Sequence, residues 1–149
     1  YIKKKMTLVV KENYKITEIN SYDCFDILKK NIQTHLIDVR TQSEWEFVGI
    51  PDLTPINKQT IFISWQLYPD MKINDNFGTE ILHSKIKKDD TIFLICRSGR
   101  RSLEAAQYLN KLGYNNCYNV FDGFEGNKDL SNHRSKLNGW KYSKLPWKQ

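Results

Sequence analysis

Long hydrophobic runs are missing from this sequence. No apolar stretch in its 149 residues approaches the roughly 20 residues that a membrane-spanning helix needs. The apolar patch at residues 8–10 is also too short for a secretory signal, and no small-residue cleavage site follows it. We therefore expect a soluble, cytoplasmic protein with no membrane partner.

Cysteine is scarce as well. The chain has three cysteines, an odd number with no C-x-x-C spacing: Cys24, Cys96 and Cys117. This pattern argues against both a disulfide framework and a zinc site, and it suits a reducing compartment. The three histidines share no spacing typical of metal ligands. We expect neither a metal nor another cofactor.

The charge that is present has an excess of one sign. The net charge is +6, from 23 basic and 17 acidic residues. A basic surface can bind nucleic acid, but the lysines here are scattered and form no long basic helix face. We interpret most of this charge as a solvated surface and expect no nucleic-acid partner.

Composition and patterning indicate a folded α/β domain. Hydrophobic residues make up 40% of the chain and aromatic residues 13%, whereas a disordered chain would be poor in both. Short apolar runs alternate with helical patterns, which is typical of α/β folds. We divide the chain into an N-terminal extension at residues 1–13 and a single domain at residues 14–149. An aromatic C-terminal extension containing Trp140 and Trp147 is expected to pack back on this domain.

Individual elements can be placed along the domain. Strand patterns occur at residues 34–40, 61–65, 91–95 and 116–120. Helical patterns begin near Ser21, Ser43 and Ser102, and each of these serines is a predicted N-cap. Cys24 and Cys117 are predicted to be small core residues, the usual place of a free cysteine.

The stretch around Cys96 carries the strongest functional signal. Residues 91–95 are almost wholly apolar, as expected for a strand buried on both faces of a parallel sheet. Cys96 follows at the carboxyl end of this strand, where open α/β sheets bind ligands. A helix ending at Gly113 comes next. Four apolar residues fall near one face of this helix: Leu103, Ala106, Leu109 and Leu112.

The loop between strand and helix is rich in positive charge. Arg97, Arg100 and Arg101 lie in it, and Gly99 lets it turn tightly. The helix N-terminus adds backbone N–H groups and the positive end of its dipole. Together these groups would stabilise a Cys96 thiolate and attract an anionic substrate, which makes Cys96 a candidate nucleophile. The alternative is a buried structural cysteine beside arginines that merely face solvent.

Two chemistries use a cysteine in such an anion site. Cysteine phosphatases need an arginine six positions after the nucleophile to hold the phosphoryl oxygens. That position is Ser102 here, because the last arginine of the loop, Arg101, comes five positions after Cys96. The loop is one residue too short for a phosphoryl group, whereas a single sulfur atom on the cysteine would fit the tighter ring.

These motifs resemble a rhodanese domain, the thiosulfate-type sulfurtransferase family. The resemblance covers about residues 16–126 and rests on "DVR" at 38–40, Glu44 with Trp45, the loop at 96–101 and "VFDGFEG" at 120–126. The tail resembles that of a bacterial single-domain subgroup. Two departures concern the pocket rim: "GIPDL" stands where the family has a histidine-containing "GHIPGA", and Asp122-Gly123 replaces a double glycine.

The resemblance implies a rhodanese-like fold, with a central parallel sheet of about five strands flanked by helices on both faces. It also implies a double displacement: Cys96 takes the outer sulfur of thiosulfate or a similar anionic donor as a persulfide, then passes it to an acceptor. The acceptor would be a thiol or a cyanide-like anion, and a small redox protein is one form of it. The implied substrate-binding residues, whose three arginines cannot all point inward, are Arg97, Ser98, Gly99, Arg100, Arg101 and Ser102.

Three charged residues near the site are expected to be structural. In the family, the pair equivalent to Asp38 and Arg40 ties the neighbouring loop through an acidic residue, here Glu44. Other functions remain open. A non-catalytic rhodanese-like binding module typically loses its cysteine or its loop charge, both of which this chain retains. A persulfide carrier serving one partner protein would use the same residues as the enzyme, and a cysteine phosphatase comes last because of loop length.

Overall fold

A five-stranded parallel sheet forms the centre of the molecule. The structure is a computed structural model that describes residues 16–149, so the predicted extension at residues 1–13 lies outside the described part. The strands of the sheet are β1 (Thr17–Ile19), β2 (Thr34–Asp38), β4 (Ile61–Phe62), β7 (Thr91–Ile95) and β8 (Asn116–Val120). They run in the order β1-β8-β7-β2-β4, and every neighbouring pair is parallel. The predicted parallel α/β sheet is confirmed.

Helices cover both faces of this sheet. They are α1 (Ser21–Lys30), α2 (Gln42–Val48), α3 (Phe77–His83) and α4 (Arg100–Lys111). Alternate residues of β7 point to opposite sides, as the pleat of a strand requires. Ile92 and Leu94 join a buried cluster with residues of α3 and α4. Phe93 and Ile95 join a second cluster with residues of α1 and the C-terminal tail.

The three predicted serine N-caps are wrong, because each helix begins earlier than its serine suggests. The cap of α1 is Asn20, whose side chain accepts the Asp23 N–H, and Ser21 is already helical. The cap of α2 is Thr41, which forms a reciprocal capping box with Glu44.

Helix α4 shows the same error at the place that matters for function. Its cap is Gly99, in a left-handed conformation with φ of 102° and no capping side chain. Ser102 therefore lies inside the first turn, where it is buried. Of the apolar residues on the predicted face of α4, Ala106 and Leu109 are buried and Leu112 is 40% exposed, and Ala105 is buried in addition.

Short strand pairs complete the structure. β3 (Ile50–Pro51) pairs antiparallel with β9 (Trp147–Lys148), and β5 (Gln66–Leu67) pairs antiparallel with β6 (Lys72–Ile73). A 3₁₀ turn occupies Thr54–Ile56. The strand predicted at residues 61–65 shortens to β4, because the backbone beyond it bonds to the end of β2 only through isolated contacts. Within residues 16–149, no helix has the length and apolar character needed to cross a bilayer.

The aromatic tail lies against the domain as predicted. Trp140 is fully buried, and its indole N–H donates to the carbonyl of Pro146 at 2.7 Å. Its ring meets the ring of Phe25 edge-on, with the centroids 5.8 Å apart. Trp147, on the short strand β9, is exposed. The tail thus contributes to the core cluster that α1 covers.

Candidate active site

Cys96 lies directly after β7, at the carboxyl end of the sheet. The preceding residue, Ile95, is in register with Asp38 of β2, so the loop after β2 begins beside the cysteine loop. The Cys96 carbonyl accepts the N–H of Phe124 at 2.8 Å. The side chain is buried, with 1% of its surface exposed. This position agrees with the rule that open α/β sheets place ligand sites at strand carboxyl ends.

Three hydrogen-bonding groups surround the sulfur of Cys96. The N–H of Gly99 donates to Sγ at 3.1 Å, and the N–H of Ser102 approaches Sγ at 3.4 Å. The Ser102 hydroxyl oxygen lies 3.1 Å from Sγ. Because α4 begins at Arg100, these N–H groups belong to the start of the helix, where N–H groups have no intrahelical partner. The loop can thus bind negative charge on sulfur.

Two glycines allow the loop to fold this tightly. A Cβ on Gly99 would lie 2.3 Å from the carbonyl oxygen of Phe121, and Gly99 has a positive φ. A Cβ on Gly123 would lie 2.3 Å from the carbonyl oxygen of Arg97. The segment after β8 therefore packs closely against the cysteine loop, and both contacts require glycine.

A polar cluster lies behind the sulfur, away from the pocket. The Ser102 hydroxyl donates to Asn119 Oδ1 at 2.5 Å. Asn119, on β8, donates in turn to Glu18 Oε2 at 2.8 Å and to the Gly99 carbonyl at 3.0 Å. Sequence reasoning did not find Asn119 or Glu18. Their spacing from Cys96 along the chain carries no recognisable signal, and only the order of the strands brings them together.

A pocket of about 500 Å³ lies beside the cysteine loop. It is lined by Gln66, Met71, Arg97, Ser98, Arg100, Arg101 and Glu104. Arg97 and Arg100 are exposed and have no ion-pair partner among residues 16–149. They are therefore free to bind an anion that approaches Cys96. One carboxylate shares the pocket, Glu104, which accepts the indole N–H of Trp65 at 3.1 Å.

Arg101 has a partner of its own, unlike the other two arginines. Its guanidinium forms two hydrogen bonds with the Glu44 carboxylate, at 2.7 and 2.9 Å. Burial alone would raise the pKa of Glu44. The hydrogen bonds and the positive charge of Arg101, together with hydrogen bonds from Thr41, instead lower this pKa from 4.5 to about 2. Arg101 thus connects α4 to α2.

Asp38 and Arg40 form a separate buried ion pair. Arg40 Nη2 lies 2.7 Å from Asp38 Oδ2 and also donates to the carbonyl of Gly49 at 2.8 Å. Its guanidinium stacks over the ring of Phe124, 4.3 Å from the ring centroid. The expectation that this pair ties the loop through Glu44 is wrong, because Glu44 is engaged by Arg101 instead. Arg40 holds the loop after α2 directly, through Gly49.

The other two cysteines lie in the core, as predicted. Cys24 is fully buried on α1, and burial together with the charge of Asp122 raises its pKa. Cys117 is buried on β8, and burial raises its pKa to about 12. Neither thiol is near the arginine pocket. No cluster of histidine, cysteine or acidic side chains within residues 16–149 could hold a metal ion.

The departure at Asp122 has a structural explanation. Its carboxylate accepts the N–H and the hydroxyl of Ser21, at 2.9 and 2.8 Å, and the N–H of Gly139 at 3.1 Å. Burial raises the pKa of Asp122 above its usual value, and these hydrogen bonds offset only part of that rise. The residue that replaces a family glycine therefore connects α1 to the C-terminal tail.

Comparison with known families identifies this arrangement. Residues 25–129 match the family described as the Rhodanese-like domain. The chain belongs to the rhodanese-like domain family. A bacterial relative, an uncharacterized protein of Rickettsia conorii, is 46% identical over 132 residues, which are 89% of this chain and 97% of the relative. A protein of Allochromatium vinosum named sulfurtransferase is 30% identical over 108 residues, covering 72% of this chain and 84% of that protein.

A solved structure shares the rhodanese-like fold over nearly its whole length. The crystal structure of Rv0390 from M. tuberculosis superimposes with a TM-score of 0.84 at 35% identity, covering 91% of this chain and 99% of that one. The rhodanese-like fold expected from the sequence is therefore confirmed. Together with the relatives, the family supports a protein of the general sulfurtransferase kind.

Proposed function

We propose that this rhodanese-like protein is a sulfurtransferase that moves a sulfane sulfur from thiosulfate or a similar anionic donor to a thiophilic acceptor. One observation carries the proposal: the Cys96 sulfur receives backbone N–H donors from Gly99 and Ser102, and the adjoining pocket presents two exposed arginines, Arg97 and Arg100. A sulfur nucleophile and a site for an oxyanion thus occur together. The free state of the cysteines suits the reducing cytoplasm of a bacterium, where we place the reaction.

In the first half-reaction, the Cys96 thiolate attacks the outer sulfur of thiosulfate. A bond forms between the two sulfur atoms, the bond within thiosulfate breaks, and sulfite leaves with the electron pair. Arg97 and Arg100 bind the sulfonate oxygens of the donor, because they are exposed in the pocket and have no other partner among the described residues. The N–H groups of Gly99 and Ser102 stabilise negative charge on the persulfide.

In the second half-reaction, a thiolate or cyanide attacks the outer sulfur of the persulfide. The new bond forms as the sulfur-sulfur bond to Cys96 breaks, and Cys96 leaves as the thiolate. Such a covalent intermediate gives ping-pong kinetics. No metal and no other cofactor is needed to balance the two steps.

An acceptor on a protein is a second candidate, which would make this chain a persulfide carrier. The observation that favours it is the hairpin β5–β6, which lies beside the arginine pocket and exposes apolar side chains. Leu67 is 46% and Met71 36% exposed, and Met71 also lines the pocket. Exposed apolar residues next to a charged site are typical of partner surfaces.

Two other functions find less support. A cysteine phosphatase would need an arginine where Ser102 stands, and Ser102 is buried with its hydroxyl on Asn119. A non-catalytic binding module would have no use for N–H groups directed at a cysteine sulfur. Both therefore rank below sulfur transfer.

The proposal is tested by intact mass spectrometry after incubation with thiosulfate. We expect the protein to gain one sulfur atom that a reductant removes, because Cys96 becomes a persulfide. Cys96→Ser should gain none and should lose transfer activity, since a serine hydroxyl is far less acidic than a thiol.

Cys117→Ser is the matched control, because Cys117 is buried away from the pocket. It should gain sulfur as the unmodified protein does. Loading that persists in Cys96→Ser would remove Cys96 as the nucleophile. If no variant is loaded, aryl phosphates and other sulfane donors, tried in turn, distinguish a phosphatase from a transferase with another donor.

A further inference from the structure

The side-chain amide of Asn119 has a defined orientation. Asn119 is 2% exposed, and its amide contacts three partners. Two of them, the Glu18 carboxylate and the Gly99 carbonyl, can only accept, at 2.8 and 3.0 Å. The amide nitrogen must face these two oxygens. The amide oxygen therefore faces the third partner, the Ser102 hydroxyl, at 2.5 Å.

This orientation decides where the Ser102 proton lies. An amide oxygen only accepts, so the Ser102 hydroxyl must donate its single proton to Asn119. The hydroxyl then has only lone pairs to offer to Cys96, whose sulfur lies 3.1 Å away. In this arrangement the S–H of Cys96 donates to Ser102. The hydrogen bonds of Ser102 and Asn119 are thus all made when Cys96 is a neutral thiol.

An ionised Cys96 needs the opposite arrangement. A thiolate has no proton to donate, so Ser102 stabilises it only by turning its own proton toward sulfur. Asn119 Oδ1 then loses its donor while it remains buried, and a buried acceptor without a donor is unfavourable. The same holds for a persulfide anion, which also accepts hydrogen bonds.

We propose that Asn119, oriented by Glu18, is a positioning residue that controls the ionisation of Cys96 through a two-position Ser102 hydroxyl. Ser102 accepts from sulfur when Cys96 is a neutral thiol and donates to sulfur in the ionised and persulfide forms. The Cys96 proton leaves to solvent base, and no bond to sulfur forms in this step. The meaning of this control for catalysis rests on the proposed function, but the control itself does not.

Other charged groups lie on the elements around the cysteine loop. They are Glu18 on β1, Asp38 and Arg40 on β2 and the turn after it, Glu44 on α2, Arg97 in the loop, Arg100, Arg101 and Glu104 on α4, and Asp122 after β8. Glu18 contacts Asn119 but not the sulfur. A change at Asn119 leaves all of these charges in place, so a change in their number does not account for its effect on Cys96.

The test is the pH dependence of alkylation at Cys96, read by peptide mass mapping without any sulfur donor. The thiolate is the reactive form. In Asn119→Ala the Ser102 proton is free to turn toward sulfur. We expect the reactivity midpoint to move to lower pH, with about tenfold faster alkylation below the midpoint, the size of one hydrogen bond to a charged group.

Ser102→Ala provides the matched background. Asn119→Ala should have no further effect in that background, because the hydroxyl through which Asn119 acts is gone. The same shift in both backgrounds would mean that Asn119 acts through the Gly99 carbonyl and loop shape, and it would overturn the proposal. An unmoved or raised midpoint in Asn119→Ala alone would do the same.

A second measurement keeps Asn119 in place, in case the Asn119 variants do not fold. Infrared difference spectra between the unmodified protein and Cys96→Ser, at pH 5, isolate the S–H stretch of Cys96. We expect a frequency lowered by donation to Ser102, and a higher frequency in Ser102→Ala. A Cys96 band that Ser102→Ala leaves in place would overturn the proposal. Neither measurement depends on sulfur transfer, so failure here and failure of the proposed function are distinguishable.

Discussion

The three cysteines share a buried position but differ in what surrounds the sulfur. Cys24 and Cys117 are packed among core residues, where burial raises their pKa. Cys96 is just as buried, but N–H groups of Gly99 and Ser102 point at its sulfur. Burial alone makes a cysteine inert, whereas donors at a helix start can stabilise its charge. The difference in chemistry arises from hydrogen bonds rather than from exposure.

Arg97 and Arg100 are exposed in the pocket, whereas Arg101 is held by Glu44. Arg97→Ala and Arg100→Ala should each raise KM for thiosulfate about tenfold, the loss of one charge-assisted hydrogen bond, with less effect on transfer from a persulfide already formed. Lys111→Ala is the control, since Lys111 is an exposed cation at the far end of α4. Steady-state kinetics measure the effect. If both arginine variants retain the unmodified KM, these side chains do not bind the donor.

At the scale of elements, the contact between α2 and α4 keeps the cysteine loop in place. Its core is the pair formed by Glu44 and Arg101, from helices whose first turns lie beside each other. Glu44 also completes the capping box of α2 with Thr41. One carboxylate thus stabilises the start of one helix and fixes the first turn of another.

Glu44→Gln should make the protein less stable at neutral pH by about 1 to 3 kcal/mol, the value of a charged hydrogen-bonded pair. The pKa of Glu44 falls from 4.5 to about 2 on folding. A lowered pKa contributes stability that is fully present above pH 4.5 and is lost as the pH falls toward 2. Urea unfolding should therefore show a smaller difference from the unmodified protein at pH 3 than at pH 7.

Glu46→Gln serves as the control for this change. Glu46 lies on the same helix and is exposed, so its removal should shift the free energy of unfolding by little at either pH. Glutamine at position 44 can still complete the capping box, which confines the change to the ion pair. An equal loss of stability at pH 3 and pH 7 would show that the Glu44 charge is not what stabilises the contact.

At the scale of the whole molecule, the C-terminal tail completes one face of the sheet. Trp140 and Leu145 belong to the core cluster that α1 covers, and Asp122 connects the tail to the start of α1. β9 then pairs with β3 beside the loop after α2. The tail therefore supports elements that lie far from it in sequence.

Trp140→Ala should lower the free energy of unfolding by about 3 to 5 kcal/mol, because it removes a large buried ring and leaves a cavity. Tyr142→Ala, in the same tail but exposed, should change it by less than about 0.5 kcal/mol. Urea denaturation followed by far-UV circular dichroism measures both. Equal effects of the two substitutions would contradict the view that the tail is part of the core.

The sequence by itself determined the features that depend on neighbours along the chain. The alternation of short apolar runs and helical patterns predicted the α/β class, and residues 91–95 followed by Cys96 predicted a cysteine at a strand end. Periodicity and strand-loop-helix order are local properties, so they can be read without the fold. The predicted helix starts were wrong, because a neighbouring residue such as Asn20 or Thr41 can cap a helix as well as serine does.

Only the tertiary structure decided which side chains far apart in the sequence meet at the site and in the elements that support it. Glu44 and Arg101 are 57 residues apart, Ser102 and Asn119 are 17 apart, and Ser21 and Asp122 are 101 apart. Each contact follows from the order of strands in the sheet and from where the connecting helices end. No local pattern predicts these pairings, because the sequence separations of the bonded residues follow no common period. The sequence thus supplied the candidate nucleophile, while the packed sheet supplied the hydrogen-bonding partners around its sulfur.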